Sequence, residues 1–291
     1  MTSRFIKASN DRKVEQGDGV VDVFVWDIDK TYLDTRFSSL RGLLAIPFEL
    51  AVDKHAVAGT VPLLRALRTG PEPSAPRFSP LYFVSGSPAH LRGVVEKKMT
   101  LDGVQFDGIT FKDQLGLLLA GRPQAIAEQV GYKLGALLLL RSQLPARVRF
   151  CLFGDDVEKD MQAFLLFGAV CAGLRGAALR QELRRAGAHW PEVDAVVEAA
   201  AALVPESDPV ERVFIHSVKG RLLGRADLDE RVCVCRSFLQ SALVLRQLGK
   251  IDVGAPSRVK DDLLRRRFAR EEIAGLIDDA RVRLGVVDTT L

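Results

Sequence analysis

Three clusters of functional groups stand at the ends of apolar runs in this chain. Asp27-Ile28-Asp29 closes the run VVDVFVW, Ser85-Gly86-Ser87 closes LYFV, and Gly154-Asp155-Asp156 closes RVRFCLF, with Asp160 a turn further on. One acidic cluster alone reads as turn or cap chemistry, since Asp is common where strands give way to helices. Three clusters, each ending a strand-like run and one of them supplying serines, call for a shared purpose. Carboxylates gathered at one edge raise one another's pKa and destabilise the chain that carries them. A divalent cation removes that cost. Oxygen ligands with no His or Cys beside them favour a hard ion, and Mg²⁺ is the usual choice next to a phosphate. An ion held in this way also neutralises phosphoryl oxygens.

The elements that must position these clusters follow from periodicity. Residues 20–26, 81–85 and 147–154 have the β-branched and aromatic character of buried strands. Short strands are also expected at 106–111 and 169–173. Helical patterns lie between them, at TVPLLRALRT with Gly70 as its stop, from Pro88 to Met99, over 132–144 and from Val157 to Gly168. Strands alternating with helices imply a mostly parallel sheet covered on both faces. Ligands then bind outside the carboxyl ends of the strands, which is where the three clusters fall. The organisation expected is a polar segment over 1–19, an α/β domain over 20–175 and a helical C-terminal domain over 176–291. In that last stretch, Asp227 and Glu230 resemble a capping box opening a helix that contains Cys233 and Cys235 and stops at Gly249. A final helix is expected over 258–284.

Asp27-x-Asp29-x-Thr31, Ser85 after its strand, a lysine opening a helix, and Gly154-Asp155 followed by Asp160 together resemble the four motifs of the haloacid dehalogenase (HAD) superfamily. More narrowly, DIDKTYLDT, AVAGTVPLLRAL, LYFVSGSPAHL and the Lys133 helix leading to FCLFGDD resemble the catalytic domain of the actin-patch-associated phosphatidate phosphatases, over residues 20–173. The resemblance implies a HAD-like Rossmannoid three-layer α/β/α domain and a Mg²⁺-dependent phosphatase acting on a phosphomonoester. It makes Asp27 the nucleophile that forms an aspartyl-phosphate and Asp29 the acid and base. Ser85, Gly86 and Lys133 would bind the phosphate. Asp27, the Asp29 carbonyl and Asp155 would hold Mg²⁺, with Thr31, Asp156 and Asp160 in support. Lys112 is the rival for the motif lysine; Lys133 is preferred because it opens the helix before the third strand.

Three positions depart from the narrower pattern. Lys30 stands where those relatives carry an acid, Gly86 where they carry asparagine, and Ala89 where they carry tryptophan. A phospholipid is therefore one candidate substrate among phosphate esters. The short spacing between the first two clusters leaves little room for a large cap. Asp34 reads as a loop residue, Ser87-Pro88 as either a helix start or a binding element, and His90 as a surface or packed histidine.

Composition bounds the remaining classes. A hydrophobic content of 47% supports a sizeable core, and a net charge of +4 makes no case for nucleic acid. No apolar run approaches the ~18 residues of a membrane span, so no transmembrane segment is expected. The N-terminus lacks the apolar region of a signal peptide. The four cysteines complete neither a zinc set nor a disulfide framework, which fits a cytoplasmic protein. The alternative function is a catalytically weak HAD-like module whose helical C-terminal part binds a protein partner.

Overall fold

A computed structural model describes residues 4–10, 14, 19–34 and 55–291. It contains one seven-stranded sheet: β1 (Ile6–Asn10), β2 (Val21–Asp27), β3 (Leu81–Pro88), β4 (Gly108–Lys112), β5 (Val148–Asp155), β6 (Val210–His216) and β7 (Val232–Cys235). The spatial order is β1-β4-β3-β2-β5-β6-β7. Only β1 is antiparallel, against β4; every other neighbouring pair is parallel. From β2 the chain moves outward through β3 to β4, then returns to the far side of β2 with β5. The central strand β2 therefore lies at the switch point of an open α/β sheet.

Ten helices accompany the sheet among the described residues: α1 (Thr60–Thr69), α2 (Arg92–Leu101), α3 (Gln114–Leu119), α4 (Val130–Arg141), α5 (Asp160–Cys171), α6 (Gly176–Arg185), α7 (Val193–Ala202), α8 (Phe238–Gln247), α9 (Ala255–Arg265) and α10 (Arg270–Arg283). The alternation of β2 decides how they divide. Phe24 and Trp26 point into a core shared with α1, α2 and α8–α10. Val23 and Val25 point into a second core shared with α3–α7. Both faces of the strand are apolar because both are covered, as in parallel sheets generally. Trp26 stacks on Phe153 at 4.1 Å and Phe153 on Phe214 at 4.7 Å, so one aromatic ladder runs across β2, β5 and β6.

The structure corrects several expectations. The stretch 176–291 is not wholly helical: β6 and β7 extend the same sheet past residue 175. Cys233 and Cys235 lie in β7, and the helix after them begins only once Ser237 accepts the Leu239 amide as its N-cap. VCVC fits helix or strand by composition, and parallel pairing with β6 decides for strand. Residues 169–171 end α5 instead of forming a strand. The final helix is two, broken where Arg267 adopts φ 67°. Part of the 1–19 segment is β1, whose polar sequence gave no strand signal. Residues 35–54, between the first strand and TVPLLRALRT, lie outside the described residues. No helix among the described residues is long and apolar enough to cross a membrane.

Candidate active site

The parallel register brings the three clusters to one edge. Asp27 pairs with Val84, one residue before Ser85, and Trp26 pairs with Phe153, two before Asp155. Asp27 is buried at the tip of the central strand. Its Oδ1 receives Lys133 Nζ at 2.7 Å, from the first turn of α4. Lys133 also contacts Asp160 and, at 3.3 Å, Glu158. Asp27, Asp155 and Asp160 each offer a carboxylate oxygen, all within 4.8 Å of one another.

The local chain explains how these groups meet. After β5, residues 156–159 form a turn in which Asp155 Oδ1 accepts the Val157 and Glu158 amides, the latter at 3.1 Å. Lys159 closes the turn at φ 62°, and α5 starts at Asp160, not at Val157 as its periodicity suggests. Asp160 folds back, and its Oδ2 accepts the Asp155 amide at 3.1 Å. Gly154 makes this possible, because a β-carbon there would collide with the Asp160 carboxylate. Asp27 Oδ2 and Asp155 Oδ2 remain buried without a hydrogen-bond partner among the described residues.

Asp29 is half-buried on the other side of the cluster. Its Oδ2 accepts from Ser85 Oγ at 3.1 Å and Ser87 Oγ at 2.7 Å, while Ser85 Oγ accepts the Ser87 amide at 3.0 Å. Ser87 thus serves the site and caps no helix: Pro88 ends β3, a short 3₁₀ turn at Ala89–Leu91 follows, and α2 begins at Arg92. Tyr132 donates to the Ser85 carbonyl at 2.7 Å and Gln114 to the Gly86 carbonyl at 2.8 Å, which fixes the irregular end of β3.

Burial raises the Asp27 pKa well above the carboxylate range, against the opposing pull of Lys133. Burial and then Asp160 push Asp155 up to about 7. Burial, followed by the charge of Glu158, raises Asp29. For Lys133 burial works against the ammonium charge, but Asp160, Asp27, Glu158 and Asp155 outweigh it and the net shift is upward. Burial leads the upward shift of all three carboxylates and neighbouring negative charge adds to it, a cost that a cation would relieve.

The structure brings Asp27, Asp29, Ser85, Gly86, Lys133, Asp155 and Asp160 together. Thr31 is buried, its Oγ1 without a partner among the described residues. Asp156 is turned away: its carboxylate accepts the amides of Val218, Lys219 and Arg221, and so pins the loop after β6. Lys112 is sealed elsewhere. Its Nζ donates to the Ile126 and Glu128 carbonyls beside the Tyr132 and Trp190 rings, and burial lowers its pKa to about 8. His90 and Asp34 are exposed.

Two participants carry no sequence signal. Glu158 bridges two lysines, taking Lys30 Nζ at 3.0 Å on one oxygen and Lys133 on the other. Burial opposes its charge, yet Lys133 and Lys30 hold its pKa below normal. Its place within an expected helix concealed this role. His216, at the end of β6, faces the Lys30 carbonyl through Nδ1 at 3.0 Å. Comparison of the chain with protein-family models, curated proteins and solved structures found no match.

Proposed function

We propose that this protein is a Mg²⁺-dependent phosphatase of the HAD type, cytoplasmic and acting on a phosphomonoester. One observation carries the reading. At the switch point of the sheet, Lys133 Nζ lies 2.7 Å from Asp27 Oδ1, while Asp27 Oδ2 and Asp155 Oδ2 are buried and unpaired among the described residues. Two free carboxylate oxygens beside a lysine suit a hard cation and an anion bound next to each other. All-oxygen donors with no sulfur or imidazole among them fit Mg²⁺. Asp27 and Asp155 would hold it through these side-chain oxygens, with the Asp29 carbonyl as the third ligand that the HAD resemblance implies. The ion, when bound, neutralises charge on the phosphoryl oxygens.

The chain's own residues supply the remaining steps. A carboxylate oxygen of Asp27 attacks phosphorus, and the ester oxygen leaves with a proton from Asp29. Burial shifts Asp29 in the direction this step requires, while Lys133 at 2.7 Å and the bound cation would favour the ionised form of Asp27. Asp29, now ionised, takes a proton from water, which attacks the aspartyl-phosphate. Orthophosphate departs and Asp27 is regenerated. Lys133 and the Ser85–Ser87 end of β3 hold the phosphoryl oxygens as charge develops.

The test is phosphate release from a panel of soluble phosphomonoesters and phosphatidate in micelles, with Mg²⁺ and with chelator. Release from at least one ester in Mg²⁺, abolished by chelator, is the expected outcome. Release from micelles alone assigns a lipid substrate. No release from any ester under either condition overturns the reading in favour of the binding module.

A further inference from the structure

Lys133 has no hydrogen-bond donor left to give. An ammonium carries three. One goes to Asp27 Oδ1 at 2.7 Å, one to Asp160 and one to Glu158 Oε2 at 3.3 Å. The phosphatase reading, on which this inference rests, asks the same ammonium to hold a phosphoryl oxygen. One of the three carboxylates must therefore give way when a phosphate arrives.

The geometry singles out Glu158. Asp27 is the proposed nucleophile and is buried at the tip of β2. Asp160 is fully buried, and its other oxygen accepts the Asp155 amide at 3.1 Å. The Glu158 carboxylate accepts from no backbone amide among the described residues; its partners there are the two lysines alone. Its contact with Lys133 is the longest of the three, and its side chain is 15% exposed against 1% for Asp27 and 0% for Asp160. It is the outermost and least anchored of these acids.

Lys30 stands on the other oxygen, with Nζ 3.0 Å from Glu158 Oε1. One carboxylate thus joins two ammoniums through its two oxygens, as two oxygens of a phosphoryl group would. The Lys30 backbone is fixed on both sides. Its amide donates to the Leu33 carbonyl at 2.8 Å, and its carbonyl faces His216 Nδ1 at 3.0 Å. It also stands at φ 61°, where glycine or asparagine would fit at less cost, so the lysine side chain is kept against its backbone preference. A ligand beside these groups is called for independently by Asp27 Oδ2, buried and unpaired among the described residues.

We propose that Glu158 holds the place of the substrate: its carboxylate keeps Lys30 and Lys133 together until a phosphoryl group displaces it and takes both ammoniums, which makes Lys30 a further substrate-binding residue. Two ammoniums suit the dianion of a phosphomonoester better than the single charge of a diester.

The test is calorimetric titration of the full chain with orthophosphate in Mg²⁺ and about 0.15 M salt, with thermal unfolding followed alongside. A placeholder lowers apparent affinity by the fraction of molecules from which it has withdrawn. Glu158→Ala is therefore expected to bind about tenfold more tightly than wild type, and Glu158→Gln more tightly by a smaller factor. Losing Lys30 from wild type would also release Glu158, so Lys30 is scored where Glu158 is already gone. Glu158→Ala/Lys30→Met is expected to bind about tenfold more weakly than Glu158→Ala. A crystal structure of wild type with Mg²⁺ and orthophosphate separates displacement from mere loss of a negative charge. Glu158 is expected beyond hydrogen-bond distance of Lys133, with a phosphate oxygen in its place. The proposal is overturned if Glu158→Ala binds no more tightly than wild type, if adding Lys30→Met to it changes binding less than about twofold, or if Glu158 keeps Lys133 in the complex. Orthophosphate binding by none of these proteins overturns it too. Should Glu158→Ala not fold, Glu158→Gln and its double variant with Lys30→Met decide by the same criteria. Hydrolysis is scored separately. Tighter binding without Glu158 in a chain that hydrolyses no ester keeps the placeholder and sinks the phosphatase reading. Hydrolysis with binding indifferent to Glu158 does the reverse.

Discussion

Lys133 is where most of the site's electrostatics meet. It is buried against Asp27, Asp160 and Glu158, so its removal leaves carboxylates without their cation. Breaking a buried pair in this way costs about 3–5 kcal/mol. Lys133→Met is expected to lower stability by that order in urea unfolding without metal, and to cut phosphate release about 100-fold or more. His216 gives a pH dependence. Its Nδ1–H donates to the Lys30 carbonyl, and burial lowers its pKa. The unfolded chain takes up a proton near pH ~6.5 that the folded ring resists, so this contribution to stability is present above that pH and lost as pH falls below it. Unfolding temperatures between pH 8 and pH 5 should therefore fall more for wild type than for His216→Gln; equal slopes would contradict this. At this scale the sequence was informative where acids stand in unusual places. Asp27, Asp29 and Asp155 stand out because carboxylates rarely end buried strands. Glu158 does not, because a glutamate near a helix start is ordinary, and only the fold turns it toward Lys133.

Strands β2, β3 and β5 were legible because both of their faces are buried and their sequences are continuously apolar. The strands that escaped notice lack that property. β1 is polar and owes its form to antiparallel pairing with β4, a partner about a hundred residues away in sequence. β6, VERVFIH, interrupts its apolar residues with charge, and β7 is four residues long. Non-local pairing settled all three. Among these elements the ladder of Trp26, Phe153 and Phe214 holds the central strands in register on the face opposite Lys133. Phe153 is fully buried between the other two rings. Phe153→Ala is expected to destabilise by about 3–5 kcal/mol in urea unfolding, chiefly through the cavity it leaves. A loss under about 1 kcal/mol would show that the ladder is not a support of the core.

Across the whole molecule, one sheet carries both Asp27, the proposed nucleophile, and the C-terminal strands. A chain ending at residue 175 would lack β6, β7 and the helices α8–α10 that cover one face of β2. Such a truncation is expected to lose cooperative unfolding by circular dichroism, whereas a sharp transition would show that the first 175 residues fold alone. The C-terminal part is thus a structural support of the site, since the loop after β6 is pinned by Asp156, the neighbour of Asp155. Everything converges on the tip of β2, where an apolar strand delivers one buried carboxylate to a lysine and a candidate cation site. The most direct measurement is Mg²⁺-dependent phosphate release by wild type and by Asp27→Asn on the same panel of esters. Wild type is expected to release phosphate and Asp27→Asn to release none above background while remaining folded. Release that survives the substitution would contradict Asp27 as the nucleophile and, with it, the central claim.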